Sequence, residues 1–150
     1  MIVKVKKLRP EAVIPQYAHT GDAGMDVCNA GPDIKLAPQS RCLAPTGLSV
    51  EIPPGYELQV RPRSGLALKK GLTVLNTPGT IDAGYRGEIG VILFNSDPRA
   101  EAEIKHGERV AQIVLNKVEI IEWEESGALE ASSREAGGFG STGSHILNKR

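Results

Sequence analysis

The amino-acid sequence predicts an all-β protein, a sandwich or barrel, with one short helix and a flexible C-terminal tail. Three observations point there. Short apolar runs alternate with polar residues along most of the chain. Turn signals drawn from 17 glycines and 10 prolines separate these runs. A single segment reads as helix, and the apolar pattern stops after Trp123. A chain of 150 residues suits one domain with a real core. The expected division is a β-rich domain over residues 1–123 and a tail over 124–150.

The elements follow in order. Val3 and Val5 alternate with Lys4 and Lys6, a half-exposed strand. Ala23 to Cys28 is a short strand entered through Gly24. Pro32-Asp33 and Pro38 mark turns. Leu48, Val50 and Ile52 alternate with Ser49 and Glu51, and Pro53-Pro54-Gly55 turns the chain. Tyr56, Leu58 and Val60 share one face, with Glu57, Gln59 and Arg61 on the other. Arg63 to Gly71 is the helix, with Ser64 as the expected N-cap, Gly71 as C-cap, and Lys69 and Lys70 at the negative end of its dipole. Leu72 to Leu75 is a strand. Asn76 to Ile89 reads as a strand end, a tight turn at Asp82-Ala83-Gly84 with positive φ at Gly84, and a returning strand. Ile89 to Phe94 is a buried strand, Ala102 and Ile104 lie on another, and Val110–Val114 and Val118–Trp123 complete the series.

Composition excludes some functions. Lys plus Arg and Asp plus Glu are 18 each, so net charge is zero. A nucleic-acid coat or a membrane-surface protein usually shows a basic excess, so neither partner is expected. Cys28 and Cys42 form no C-x-x-C pair and no metal spacing, which suits free thiols in a reducing cytosol. No apolar segment is long enough to span a bilayer and no signal-peptide pattern opens the sequence, so a cytoplasmic protein is expected. His19, His106 and His145 have no metal spacing and read as surface residues.

Three stretches offer chemistry, each beside a plainer reading. Asp82 and Tyr85 place a carboxylate and a ring at one turn, after Asn76 and the bare backbone of Gly79. That set can read a base, hold a sugar and orient a water, or it is an ordinary Asx-type turn. At the helix start, Arg63, Ser64 and Gly65 offer a guanidinium, a hydroxyl and free backbone N–H groups, an anion site or simply a capped surface helix. In the tail, Arg134 precedes Gly137-Gly138-Phe139-Gly140-Ser141-Thr142-Gly143. This is either a linker or a lid, with Phe139 stacking on a ring and Arg134, Ser141 and Thr142 on phosphate.

In order along the chain stand Ala23-Gly24-Met25-Asp26-Val27, Pro62-Arg63-Ser64-Gly65-Leu66-Ala67, Gly79 to Ile89 (Gly-Thr-Ile-Asp-Ala-Gly-Tyr-Arg-Gly-Glu-Ile), Gly107-Glu108-Arg109-Val110-Ala111-Gln112-Ile113, and the Arg134 to Gly143 run. These five segments resemble the five motifs of the trimeric deoxyuridine triphosphatases. Val27 stands where that family more often has leucine, which bears on local packing and not on Asp26. The resemblance implies a jelly-roll-like fold and a homotrimer with sites shared between subunits. It implies hydrolysis of dUTP to dUMP and pyrophosphate with Mg²⁺, keeping uracil out of DNA and supplying dUMP for dTTP synthesis. By resemblance, Asp82 activates the water that attacks the α-phosphorus, and Tyr85 packs on the deoxyribose and excludes a 2′-hydroxyl. Asn76, with backbone about Gly79 and Ile81, reads uracil. Arg63, Ser64, Gly65 and Gln112 hold phosphates, and Asp26 holds magnesium through water. Arg134, Phe139, Gly140, Ser141 and Thr142 come from a closing tail that carries the fifth motif.

Two other classes fit parts of the pattern. A dCTP deaminase shares the fold but carries a glutamate on the strand after the turn, where this chain has Ile92. A non-catalytic β-trimer would not need a water-activating Asp, a magnesium Asp and a phosphate-binding tail together.

Overall fold

The computed structural model describes residues 1–138. The expectations at Phe139, Gly140, Ser141, Thr142 and His145 lie outside that range. One unit runs from Met1 to Ile120, and a second begins at Ile121. Residues 121–138 contain no helix or strand.

The first unit is β with one helix, as expected. In order it holds β1 (Lys4–Lys7), β2 (Gly24–Cys28), β3 (Ile34–Leu36), β4 (Arg41–Pro45), β5 (Leu48–Glu51), β6 (Tyr56–Arg61), α1 (Ser64–Lys70), β7 (Leu72–Val74), β8 (Gly79–Ile81), β9 (Gly90–Asn95), β10 (Ala102–Ile104) and β11 (Arg109–Lys117). They form four antiparallel sheets, ordered β2-β11-β6-β8, β4-β9-β7, β1-β5 and β10-β3. Leu58, Val60 and Ile113 of the largest sheet share one core with Val74, Val91 and Leu93 of the second and Leu36 and Ile104 of the β10-β3 pair. The alternation of each strand decides which side chains enter that core. No helix among the described residues is long and apolar enough to cross a membrane.

Two buried amides tie the loops. Asn95 donates from Nδ2 to the carbonyls of Leu36, Ala37 and Ala100, while its Oδ1 accepts the Asp97 N–H. Asn29 donates to Pro32 and Lys105 carbonyls and accepts the Gly31 N–H. Both are fully buried, and each meets its polar needs with backbone.

Four local expectations are corrected. The segment from Asn76 to Ile89 does not form a hairpin. β8 pairs with β6, whereas β9 lies between β4 and β7 and has no free edge for β8. Residues 82–89 therefore cross from one sheet to the other. Gly84 lies outside the left-handed region, because the turn closes through the Tyr85 N–H on the Asp82 carbonyl at 3.0 Å, which needs no positive φ. Ser64 is the first helical residue and not the cap. Arg63 holds the cap position with extended backbone (φ −92°, ψ 127°) and no side-chain cap bond, its guanidinium being turned to Asp26. Val118–Trp123 is not a strand. The ladder of β11 ends at Lys117 opposite Tyr56, where β6 itself begins after its Pro-Pro-Gly turn.

Candidate active site

Asp26, Arg63 and Gln112 come together although they lie on separate elements. In the β2-β11-β6-β8 sheet, Gln112 stands opposite Asp26 on one side and Arg61 on the other. Arg63 follows two residues beyond Arg61, so its side chain returns along that sheet end. Its Nε donates to Asp26 Oδ1 at 2.9 Å, and its Nη1 donates to the Arg109 carbonyl at 3.2 Å. A guanidinium has five N–H donors, so three remain for another acceptor. Gln112 donates from Nε2 to the Pro62 carbonyl at 2.9 Å, just ahead of Arg63. Gly24 permits that pose, since a Cβ there would stand 2.5 Å from Gln112 Oε1.

Arg109 completes the cluster and was not foreseen as a site residue. Its Nη1 donates to Asp26 Oδ2 at 3.4 Å. The register of β11 against β2 slips between Arg109 and Ala111, and a bulge of this kind re-aims the side chain it carries. The signal was present in the fourth quoted segment, but nothing local showed where the bulge would point Arg109. One carboxylate between two guanidinia leaves a net positive charge. Asp26 and Arg109 of this set face a cleft of about 640 Å³, within the range of small-molecule sites. Asp22, Asp26, Arg109 and Gln112 line it together with residues 13–18. Cys28 also lines it, and burial pushes that thiol's pKa up while Arg109 pulls it down.

The second cluster is the crossing at residues 76–89. Asn76, Asp82 and Tyr85 are exposed, Ile81 is half-buried and Gly79 is buried. The Asn76 amide lies against Gly79, whose Cβ, if present, would be 3.2 Å from Asn76 Nδ2. The crossing is pinned from several sides. Arg86 Nη1 donates to the carbonyls of Ala83 and Tyr85, and Ser49 Oγ donates to the Arg86 carbonyl at 2.7 Å. Glu88 accepts the Gly47 N–H at 2.7 Å and pairs with Arg9 at 3.4 Å. The Tyr85 hydroxyl donates to the Glu88 carbonyl at 3.0 Å. Sequence reading quoted Arg86, Gly87 and Glu88 within a motif but gave them no role.

The two clusters lie toward opposite edges of one sheet. Asp26 is on β2 and Gly79 on β8, three strand intervals apart, roughly 14 Å at about 4.8 Å each. Arg134, in the second unit, donates from Nε to the Gly137 carbonyl at 2.7 Å. Among the described residues, no group of three or more His, Cys, Asp and Glu could hold a metal alone.

The fold, with two arginines on one carboxylate at the edge of a cleft, defines an all-β protein equipped for a small ligand. The chain belongs to the dUTPase family, whose model matches residues 10–143. It is 49% identical over 143 residues to the deoxyuridine 5′-triphosphate nucleotidohydrolase of Thermobifida fusca, covering 95% of this chain and 79% of that one. Among solved structures it resembles a G164S mutant of the Staphylococcus bacteriophage 80alpha dUTPase with dUpNHpp, at TM-score 0.85 and 29% identity, covering 95% of this chain and 98% of that one. It also resembles a D95N mutant dUTPase from phage phi11 of S. aureus, described with a structural Mg(II) ion, at TM-score 0.80 and 26% identity, covering 87% and 100%.

Proposed function

We propose that the protein hydrolyses dUTP to dUMP and pyrophosphate. The observation that carries this reading is the arginine pair on Asp26 in a chain whose family match runs nearly end to end. Asp82 takes a proton from water, whose oxygen bonds to the α-phosphorus as the bond to the bridging oxygen breaks. Pyrophosphate leaves with that bond's electrons. Asp82 is exposed, and a carboxylate within reach of a bound water can act as this base. The free donors of Arg63 hold phosphate oxygens where charge builds on the leaving group, and Ser64, Gly65 and Gln112 line the same end. Tyr85 lies on the deoxyribose, and Asn76 with the backbone of Gly79 and Ile81 reads uracil. Arg134, Phe139, Gly140, Ser141 and Thr142 act from the tail, taken as residues 124–150 beside a nucleotide-binding domain of 1–123.

Mg²⁺ suits the donor set. It prefers oxygen, keeps several waters and takes few protein ligands, so the half-exposed carboxylate of Asp26, whose oxygens also accept from Arg63 and Arg109, suits an ion held through water and not directly. When bound, it neutralises phosphate charge. The spacing between the two clusters suits sites shared between copies of the chain, as in the homotrimer the family resemblance implies. Two free cysteines support a cytoplasmic protein.

The test is pyrophosphate release from dUTP, UTP, dTTP and dCTP, with and without magnesium. Turnover of dUTP alone, raised by magnesium, is expected. Ammonia release from dCTP, or nucleotide binding without turnover, would refute the assignment.

A further inference from the structure

Tyr85 rests on a residue that has no side chain. A Cβ built on Gly87 would lie 2.6 Å from Tyr85 Cζ and 3.0 Å from Cε2, with the hydroxyl closer still. Non-bonded carbons settle at about 3.5–4.0 Å, so no other residue type fits under that ring as it stands. The contact is not a backbone requirement, because Gly87 lies outside the left-handed region. The ring's far end is fixed by the hydroxyl bond to the Glu88 carbonyl, and Glu88 is in turn fixed by the Gly47 N–H. The ring is thus held by a bare floor beneath the phenol end and a hydroxyl tether one residue further on.

We infer that Gly87 is a specificity-determining residue, the floor that sets the height of the Tyr85 ring and hence the space left for a 2′-substituent on the sugar. This rests on the reading of Tyr85 as the sugar filter. A methyl group at position 87 would lift the phenol end or swing it outward and break the tether. The gap above the ring would change, while the chemistry at Asp82 would stay in place. A ribonucleotide would then be admitted without any change in a residue that touches it.

The experiment is a double-mutant cycle read as the ratio of kcat/KM for dUTP over UTP. Tyr85→Ala tests the filter itself and should lower the ratio by roughly tenfold or more, the scale on which shape-based pockets discriminate. Gly87→Ala should lower it by a similar factor, with melting temperature near wild type because only a side-chain end must move. The double variant should match Tyr85→Ala alone, since without the ring there is nothing for the methyl to displace. If Tyr85→Ala leaves the ratio unchanged, the filter reading fails and the floor with it. If Tyr85→Ala lowers the ratio but Gly87→Ala does not, the floor alone is overturned. Additive losses in the double variant overturn it too, since Gly87 would then act by another route. Should Gly87→Ala not fold, the double variant decides. Folding with the Tyr85→Ala ratio supports the floor, and failure to fold overturns it.

Discussion

Glu88 fastens the crossing that carries Asp82 and Tyr85 to the turn at Gly47. In Glu88→Ala, the Gly47 N–H loses its acceptor at 2.7 Å, and Gly47 is buried, so water cannot readily replace it. A hydrogen bond to a charged group contributes about 1.5–3 kcal/mol. The Arg9 pair, longer at 3.4 Å and 41% exposed on the arginine side, adds about 0–1 kcal/mol. Together these predict a loss of about 1.5–4 kcal/mol. Glu88→Gln keeps a neutral acceptor for the same N–H and should cost only about 1 kcal/mol. Urea unfolding at fixed protein concentration measures both, the concentration being held because assembly would shift apparent stability. The efficiency of dUTP turnover should fall with Ala and largely survive with Gln. Two results would refute this: Glu88→Ala within about 0.5 kcal/mol of wild type, the range of ordinary surface changes, or Gln as damaging as Ala.

Asp82→Asn should lower dUTP turnover by orders of magnitude, about 10²-fold or more, with binding largely kept, because the amide is nearly isosteric but accepts no proton; single-turnover kinetics beside calorimetric binding checks it. A chain ending at Ser133 should keep its melting temperature and lose most of its catalytic efficiency, since every residue of the main core cluster lies between Val3 and Leu115. Asp33 accepts the His106 N–H and pairs with Lys105, which hold its carboxyl below the ordinary value near 4. A depressed carboxylate stabilises the fold above its unfolded pKa, and that stability is lost as pH falls through the folded value. Asp33→Asn should therefore flatten the fall in melting temperature below about pH 4, and an unchanged acid limb would remove this role.

Strands whose apolar period is their own were readable from sequence. β6 and β9 bury alternate side chains as the pattern indicates. β4 was not seen, because Arg41 to Pro45 has only Ala44 fully buried and owes its pairing to β9, a distant neighbour. The false hairpin has the same origin: the partner that claims β9 is not the strand beside it in sequence. The helix begins at Ser64 with Arg63 in the cap position, and the Arg63 side chain bonds Asp26, 37 residues away, a partner no local pattern shows. Asp26 and Gln112 were assigned through a family resemblance, whereas Arg63 also stood out at the helix start as part of a possible anion site. Their convergence depends on sheet order, which no local pattern encodes. Arg109, Gly87 and Glu88 stayed without roles because a bulge, a ring contact and a bond to Gly47, 41 residues distant, define them.

The place of β11 has a consequence for how the chain is born. It is an inner strand of its sheet, between β2 and β6, yet among the described residues it is the last strand made. Asp26 emerges from the ribosome 83 residues before Arg109. At about 5–20 residues per second, β2 waits roughly 4–17 s for the strand it must pair with. Throughout that interval the sheet is split, with β2 and β6 each showing an open edge. The pairing of Asp26 with Arg109 does not exist until synthesis is nearly complete. Folding here is a closing event set by the final strand, and substitutions that weaken β11 should lower the yield of folded protein in cells more than they lower the stability of molecules that have already closed.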